Sequence, residues 1–294
     1  MLGTFVAHVF LEIYPNRDKA PIPPSPNLVH PSHTTREDEM LKRLLFFAYG
    51  LTCYLIFLGT FLYAIAFVGG FGVSHTLDAP LQTSLLRAVS VDCALLAVFA
   101  LQHSVMARPW FKERWTQVVP WAVERSTYVL CASLALLLLF WQWQPIGVQV
   151  WYVRNPQARL ILWTLCAAGW ITVLLMTFFI NHFDLFGLRQ VWLPLRGKPY
   201  TRITFRAPLP YRLVRHPLYF GFLVAFWMTP NMTLAHLLFT MGTTGYILLA
   251  IQFEERDLVR EHGPAYELYQ QTTPMILPIG KLGSAKPSAT SAKI

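Results

Sequence analysis

The chain has 294 residues, of which 54% are hydrophobic and only 13% charged, with a formal net charge of +9 and a mean hydropathy of +0.41. Soluble domains carry about 25% charged residues, so the composition excludes an ordinary soluble domain and points to a membrane protein. The basic excess raises nucleic acid as a partner, but its distribution, set out below, excludes that reading.

Residues 1–41 read as an N-terminal cytoplasmic segment. It has neither a basic start nor a small-residue cleavage pattern, so it is not read as a signal peptide, and Pro21 to Pro31 reads as an extended linker. Residues 42–282 form the expected membrane domain. Four apolar runs open it: Leu44 to Val68, Leu85 to Met106, Tyr128 to Trp143 with flanks, and Leu160 to Ile180. A bilayer core about 30 Å thick needs roughly 20 apolar residues as helix. The first, second and fourth runs meet that length; the third meets it with Trp141 and Trp143 as interfacial anchors. A fifth apolar region, Pro217 to Phe253, is broken by the turn signal Pro230-Asn231. It reads as a helical hairpin whose first arm, Pro217 to Thr229, is short, and whose second, Thr233 to Phe253, is full length. Residues 283–294 read as a disordered tail. The expected fold is all-α: four spans plus a C-terminal hairpin.

The basic residues fall in alternate connections. Lys42 and Arg43 precede the first run; Arg108, Lys112, Arg114 and Arg125 follow the second; a further group runs from Arg189 to Arg215. Phe71 to Ser84 has no Lys or Arg, and Gln144 to Gln157 has only Arg154. This positive-inside pattern places both termini in the cytoplasm and accounts for most of the net charge. Cys53, Cys93, Cys131 and Cys166 each fall within a span without a paired motif, and read as small apolar fillers. No metal site is expected.

Ionisable residues at membrane depth are costly and are candidates for function. Asp92 and His103 lie eleven positions apart, close to three helical turns, and share one face. Asp92 reads first as an interhelical hydrogen bond or an ion pair with Arg87. Asn181, His182 and Asp184 close the fourth run. Arg215 and His216 precede Pro217, a natural first helical position, so donors and a positive helix end face the cytoplasm. Glu254 and Glu255 return to that side at the far end of the hairpin. Cationic donors beside anionic acceptors suit a zwitterionic ligand with a carboxylate, an ammonium or sulfonium, and hydroxyls.

The stretch "RHPLYFG", followed after an apolar helix by "FEERDL" and then by Gly263, Tyr266 and Tyr269 in "HGPAYELYQQTTPMILP", resembles the isoprenylcysteine carboxyl methyltransferase and phospholipid methyltransferase superfamily of integral membrane enzymes. Further stretches, among them "FALQHSVMARPWFK", "NHFDLFGLRQVW" and "LRGKPY", resemble its bacterial members that methylate methanethiol on sulfur to give dimethyl sulfide. The resemblance spans about Lys42 to Pro278. It implies S-adenosylmethionine as methyl donor, with Arg215, His216, Tyr219 and Gly221 lining it, Glu254 and Glu255 contacting its ribose or amino group, and Tyr266 and Tyr269 closing over it. It assigns no base for a small thiol. From residue chemistry, His103 and His182 have the pKa class to promote a thiolate, with Asp184 to orient either imidazole. A small alkyl thiol could reach such a site from the lipid. The open alternatives are a relative acting on isoprenylcysteine or phospholipid, a nicotinamide-dependent sterol reductase, and a haem- or quinone-binding protein using His103 with His182.

Overall fold

The computed structural model describes residues 36–80, 82–201 and 209–278. The Pro21–Pro31 linker and the 283–294 tail lie outside the described residues.

The elements are helical except for one short strand pair. α1 spans Arg36–Gly69, α2 Leu85–Met106, α3 Pro109–Trp115 and α4 Trp121–Gln142. After β1 (Gln149–Tyr152) come α5 (Pro156–Ile180), α6 (His182–Leu185), α7 (Leu188–Leu195), α8 (Leu209–Leu213) and α9 (Pro217–Trp227). β2 (Asn231–Thr233), α10 (Leu234–His262) and α11 (Pro264–Thr272) complete the order. Five helices, α1, α2, α4, α5 and α10, are long and apolar enough to cross a membrane. Large apolar side chains such as Leu55, Leu62, Leu101, Leu134, Leu160 and Leu249 remain exposed on them, which is the surface a lipid solvent requires.

Local signals explain the helix ends. α1 opens with Glu37, Asp38 and Glu39, acidic groups that favour the positive end of the helix dipole. At 34 residues it is about 51 Å long, so it extends beyond the hydrocarbon core. α5 begins at Pro156 behind Asn155, whose side chain accepts from the amides of Gln157 and Ala158. α10 is capped by Thr233, which accepts from His236 N, and ends at Gly263, whose φ of +53° suits a residue without Cβ.

The hairpin differs from an ordinary pair of spans. α9 has 11 residues, about 16 Å, and cannot cross a bilayer alone. It is apolar all round, and none of its residues is exposed. Such a helix belongs in a protein interior, and α5 and α10 supply one. Beyond it the chain stays extended, and the Pro230-Asn231 turn signal proves to be the entry to β2. β2 pairs antiparallel with β1, with Gln149 opposite Thr233 and Tyr152 opposite Asn231. Val153 N donates to Pro230 O at 2.9 Å and Leu234 N to Val148 O at 2.8 Å. These bonds satisfy backbone groups that non-helical chain would otherwise leave bare in an apolar setting.

α9 packs closely on α5 because two glycines face each other. A Cβ on Gly169 would meet Ala225 N at 2.6 Å, and one on Gly221 would meet Gly169 O at 3.0 Å. Small residues at a helix crossing let the backbones approach.

Two expectations change here, for Trp143 and Arg125, and that for Asp92 is resolved. Trp143 is only 3% exposed; it packs edge-on against Phe67 and Phe239 rather than anchoring an interface, while Trp141 stays 67% exposed. Of the two readings of Asp92 the hydrogen bond holds and the Arg87 ion pair does not: Asp92 is fully buried and accepts from the Gln144 amide, just past α4, at 2.8 Å. Arg125, read as a loop charge, lies buried in α4. The four cysteines are free.

Candidate functional site

The polar residues at the basic end of the bundle form three separate groups. The first grows from the end of α5. Asn181 turns the chain with a φ of 152°, and its side chain accepts from Asp184 N, starting the one-turn helix α6. Gly187, at φ +82°, then passes Ser126 so closely that a Cβ would meet its amide at 2.7 Å. Those two turns bury His182 and Asp184 against α1 and α4.

The two residues acquire unrelated partners. The Thr177 hydroxyl donates to Leu174 O at 2.6 Å, so its oxygen accepts from His182 Nδ1 at 2.8 Å. Nε2 is then the acceptor for the Tyr54 hydroxyl at 2.8 Å. The ring also stacks on Phe178 at 4.2 Å, and burial lowers its pKa. This is a neutral imidazole with both nitrogens engaged. Asp184, fully buried, takes Arg125 Nη1 at 2.8 Å, Arg189 Nη1 at 3.4 Å and the Tyr200 hydroxyl at 3.0 Å. With both oxygens occupied by these groups, it does not orient an imidazole; it ties α4 to the α6–α7 turn.

The second group is His103 with Tyr128. The Tyr128 phenol oxygen lies 3.0 Å from both ring nitrogens of His103 and 3.1 Å from its carbonyl oxygen. Phe99 stacks on the imidazole at 5.3 Å. The structure thus separates His103 from His182 and Asp184, and His182 is not available to pair with it as an axial ligand.

The third group joins the start of α9 to the end of α10 and to α11. Arg215 N donates to Pro274 O at 2.9 Å and His216 N to Met275 O at 3.0 Å, so the segment after α11 is stitched to the entry of α9. Arg215 Nε donates to Glu255 Oε1 at 2.7 Å, and its Nη1 donates to the carbonyls of Gln270 and Thr273. Gln270 Nε2 donates to Glu255 Oε2 at 2.9 Å. His216 Nε2 lies 3.0 Å from Glu255 Oε1. Its burial lowers the imidazole pKa, with Glu255 opposing and Arg215 adding to the shift. A neutral ring donates from Nε2 to Glu255, which leaves Nδ1 as an acceptor 3.8 Å from Glu254 Oε2. Glu254 is buried and accepts from the Tyr219 hydroxyl at 3.3 Å.

The remaining expected residues divide. The Tyr266 and Tyr269 rings pack at 5.7 Å. Burial, with Glu255 and Glu254 nearby, pushes the Tyr266 phenol up; burial pushes Tyr269 up to about 12, and its hydroxyl donates to Tyr211 O. Gly221 does not join the cluster: it faces Gly169 and Val173 of α5, so its absent side chain serves helix packing. Gln270 escapes the motif, although it lies one turn beyond Tyr266 on the same helix face, a spacing that could have found it.

Comparison with known proteins defines the class. The chain is 56% identical over 238 residues to the methanethiol S-methyltransferase of Mycobacterium tuberculosis, covering 81% of this chain and 98% of that one. It is 52% identical over 248 residues to the enzyme of that name from Crocosphaera subtropica, covering 84% and 97%. Mouse Nurim is more distant, 31% identical over 199 residues, covering 65% of this chain and 76% of Nurim. No family profile and no solved structure matches. The bundle and these likenesses make the protein a multi-pass membrane methyltransferase. The chain belongs to the methanethiol S-methyltransferase family.

Proposed function

We propose that the protein transfers a methyl group from S-adenosylmethionine to the sulfur of methanethiol, giving dimethyl sulfide. It does so in a bacterial cytoplasmic membrane with both termini on the cytoplasmic side. The single observation that carries this is the buried cluster of Arg215, His216, Glu254 and Glu255 in a chain with these relatives.

The donor set fits the cofactor. His216 Nδ1 and Glu254 Oε2 are two acceptors 3.8 Å apart. An ammonium between them, with two N–H groups, satisfies both, and a ribose hydroxyl satisfies one. The acceptor capacity that Tyr219 leaves on Glu254 supports the same assignment. Arg215 and Gln270 hold Glu255 in place, so their part is to position. Tyr266 and Tyr269 flank the cluster and exclude water from it.

When bound, S-adenosylmethionine supplies an electrophilic methyl: the thiol sulfur forms the new S–C bond while the bond to the sulfonium breaks, its electron pair staying on the departing neutral thioether. The chain's own task is the proton. A cysteine-like thiol of pKa near 8.5 is only about 3% thiolate at pH 7, a simple alkyl thiol is ionised less, and the thiolate is the nucleophile. His103 accepts the S–H proton at a ring nitrogen. His182 and Asp184, engaged as described, do not.

Purified protein with labelled S-adenosylmethionine and methanethiol should release labelled dimethyl sulfide into the headspace. Glu254→Gln should weaken cofactor binding by about tenfold or more in calorimetry, in line with a lost charge-assisted bond. His103→Ala should depress turnover by about 10²-fold, with cofactor affinity kept. That defect should shrink as pH rises, because the thiol then ionises without help. A pH-independent loss would assign His103 to packing. No volatile product from any thiol would overturn the reaction.

A further inference from the structure

The helices line a partly open pocket, with room for a ligand of about 80 Å³, at the centre of the bundle. α4 supplies Tyr128, Ala132, Leu136 and Phe140 to its wall, four positions recurring at helical spacing. The wall is almost wholly apolar. Two of its hydroxyls are turned back onto their own helices: Thr60 donates to Ile56 O and Ser133 to Val129 O, each at 2.8 Å. His103 and Tyr128 supply its titratable pair. The cavity also abuts the charged cluster. Tyr219, which bonds Glu254, and Phe222, which lines the cavity, are three residues apart on α9, so they share a face within about 4.5 Å of rise.

We propose that this cavity is the acceptor site, that it takes a one-carbon alkyl thiol, and that its volume sets selectivity against longer thiols. This rests on the methyl-transfer reading above and adds where the acceptor lies. The size carries the assignment. An apolar cavity of about 150 Å³ holds benzene, so 80 Å³ suits a molecule of two or three heavy atoms. The chemistry agrees: an S–H group is a weak donor that tolerates an apolar wall, and a single imidazole–phenol pair at one side is where its proton would go. A lipid headgroup or a prenyl chain fits neither the size nor the polarity.

Two variants change the volume without touching the donor cluster or His103. Ala132→Leu fills the cavity, and Val129→Ala widens it. Each is compared with the wild type in turnover of methanethiol, ethanethiol and propanethiol, in cofactor binding, and in the rise of unfolding temperature caused by millimolar methanethiol without donor. Ala132→Leu should keep the wild-type unfolding temperature or exceed it, bind cofactor normally, and lose both the methanethiol-induced rise and at least tenfold in kcat/KM. Val129→Ala should raise the ethanethiol-to-methanethiol ratio of kcat/KM by about tenfold, the lower end of what one methylene is worth in such a pocket. Wild-type turnover and an intact rise in Ala132→Leu, with an unchanged ratio in Val129→Ala, overturn the proposal while leaving the reaction standing. A rise lost in Ala132→Leu, in a protein that methylates no thiol, supports the cavity and overturns the reaction.

Discussion

Single residues carry opposite duties here although they look alike in the sequence. Asp184 and Glu254 are both buried carboxylates, but Asp184 holds two arginines and a phenol, while Glu254 accepts from one phenol. The first is a structural pin and the second has capacity for a ligand. Arg125→Ala should therefore destabilise the fold by about 2–3 kcal/mol, because it removes the shortest of the bonds to a buried carboxylate and leaves only Arg189 and Tyr200 to compensate it. Thermal unfolding in detergent would show it, and wild-type stability would remove the pin. The sequence shows that "NHFDLFG" is dense in polar types, but not what they do. Asp184 meets Arg125 across 59 positions, and Arg125 reads as one more basic residue of a cytoplasmic connection. Likewise Tyr128 sits 25 positions from His103 with no motif to join them. Contacts of this kind depend on which helices become neighbours, and local pattern does not encode that.

At the scale of elements, the junction between α9 and α5 matters most, since α9 carries Arg215, His216 and Tyr219 at its head. Gly169 meets backbone atoms of α9, which cannot rotate away, whereas Gly221 meets the carbonyl of Gly169 and Val173 at looser distances. Gly169→Ala should thus be the worse substitution, costing about 1–3 kcal/mol through overpacking, and it should weaken cofactor binding by moving the head of α9. Calorimetry on both alanine variants checks the order; equal affinities for the two would detach α9's seating from the cluster. Much of this architecture is legible beforehand. The second apolar run coincides with α2, and the other three long runs lie within or across α1, α4 and α5, because a 20-residue apolar window has few other outcomes. The strand pair is not legible. β1 has four residues, mostly exposed, and its partner lies about 80 positions on, so periodicity does not announce it, and the Pro230-Asn231 signal marks a break in the hairpin without revealing a strand. The role of Gly221 was hidden for a related reason: its motif suggested a ligand, and only the facing glycine reveals a packing contact.

For the whole molecule, the arrangement of the spans fixes relative sidedness. β1 and β2 pair at one end, so α5 and α10 both begin there and both return to the end that carries Arg215 and Glu255. Arg108 reaches Asp257 at 3.6 Å at that same end, joining the α2–α3 corner to α10. Reporter fusions in the 71–80 loop and after residue 278 should give opposite readouts, with the latter cytoplasmic by the basic loops. A cytoplasmic signal from the 71–80 loop would invert the orientation, and with it the compartment that supplies the methyl donor.

The shortness of α9 has a consequence for how the protein is made. Eleven residues fall below the roughly 17 that the insertion machinery accepts as a span, and the extended chain after them needs β1 already in place. α9 therefore cannot be delivered by itself as it leaves the ribosome. In the proposed orientation it waits at the cytoplasmic surface until α10 is synthesised, and then enters with α10 as one loop, with the β1 edge as its dock. A nascent chain stopped after Thr233 should leave a tag on the cytoplasmic side, whereas the full chain should carry residues 229–233 across. Translocation of the stopped chain would show that α9 enters unaided. The cluster proposed to hold the methyl donor, built from both ends of that loop, is then the last part of the protein to form, and on that proposal an incomplete chain does not bind the cofactor.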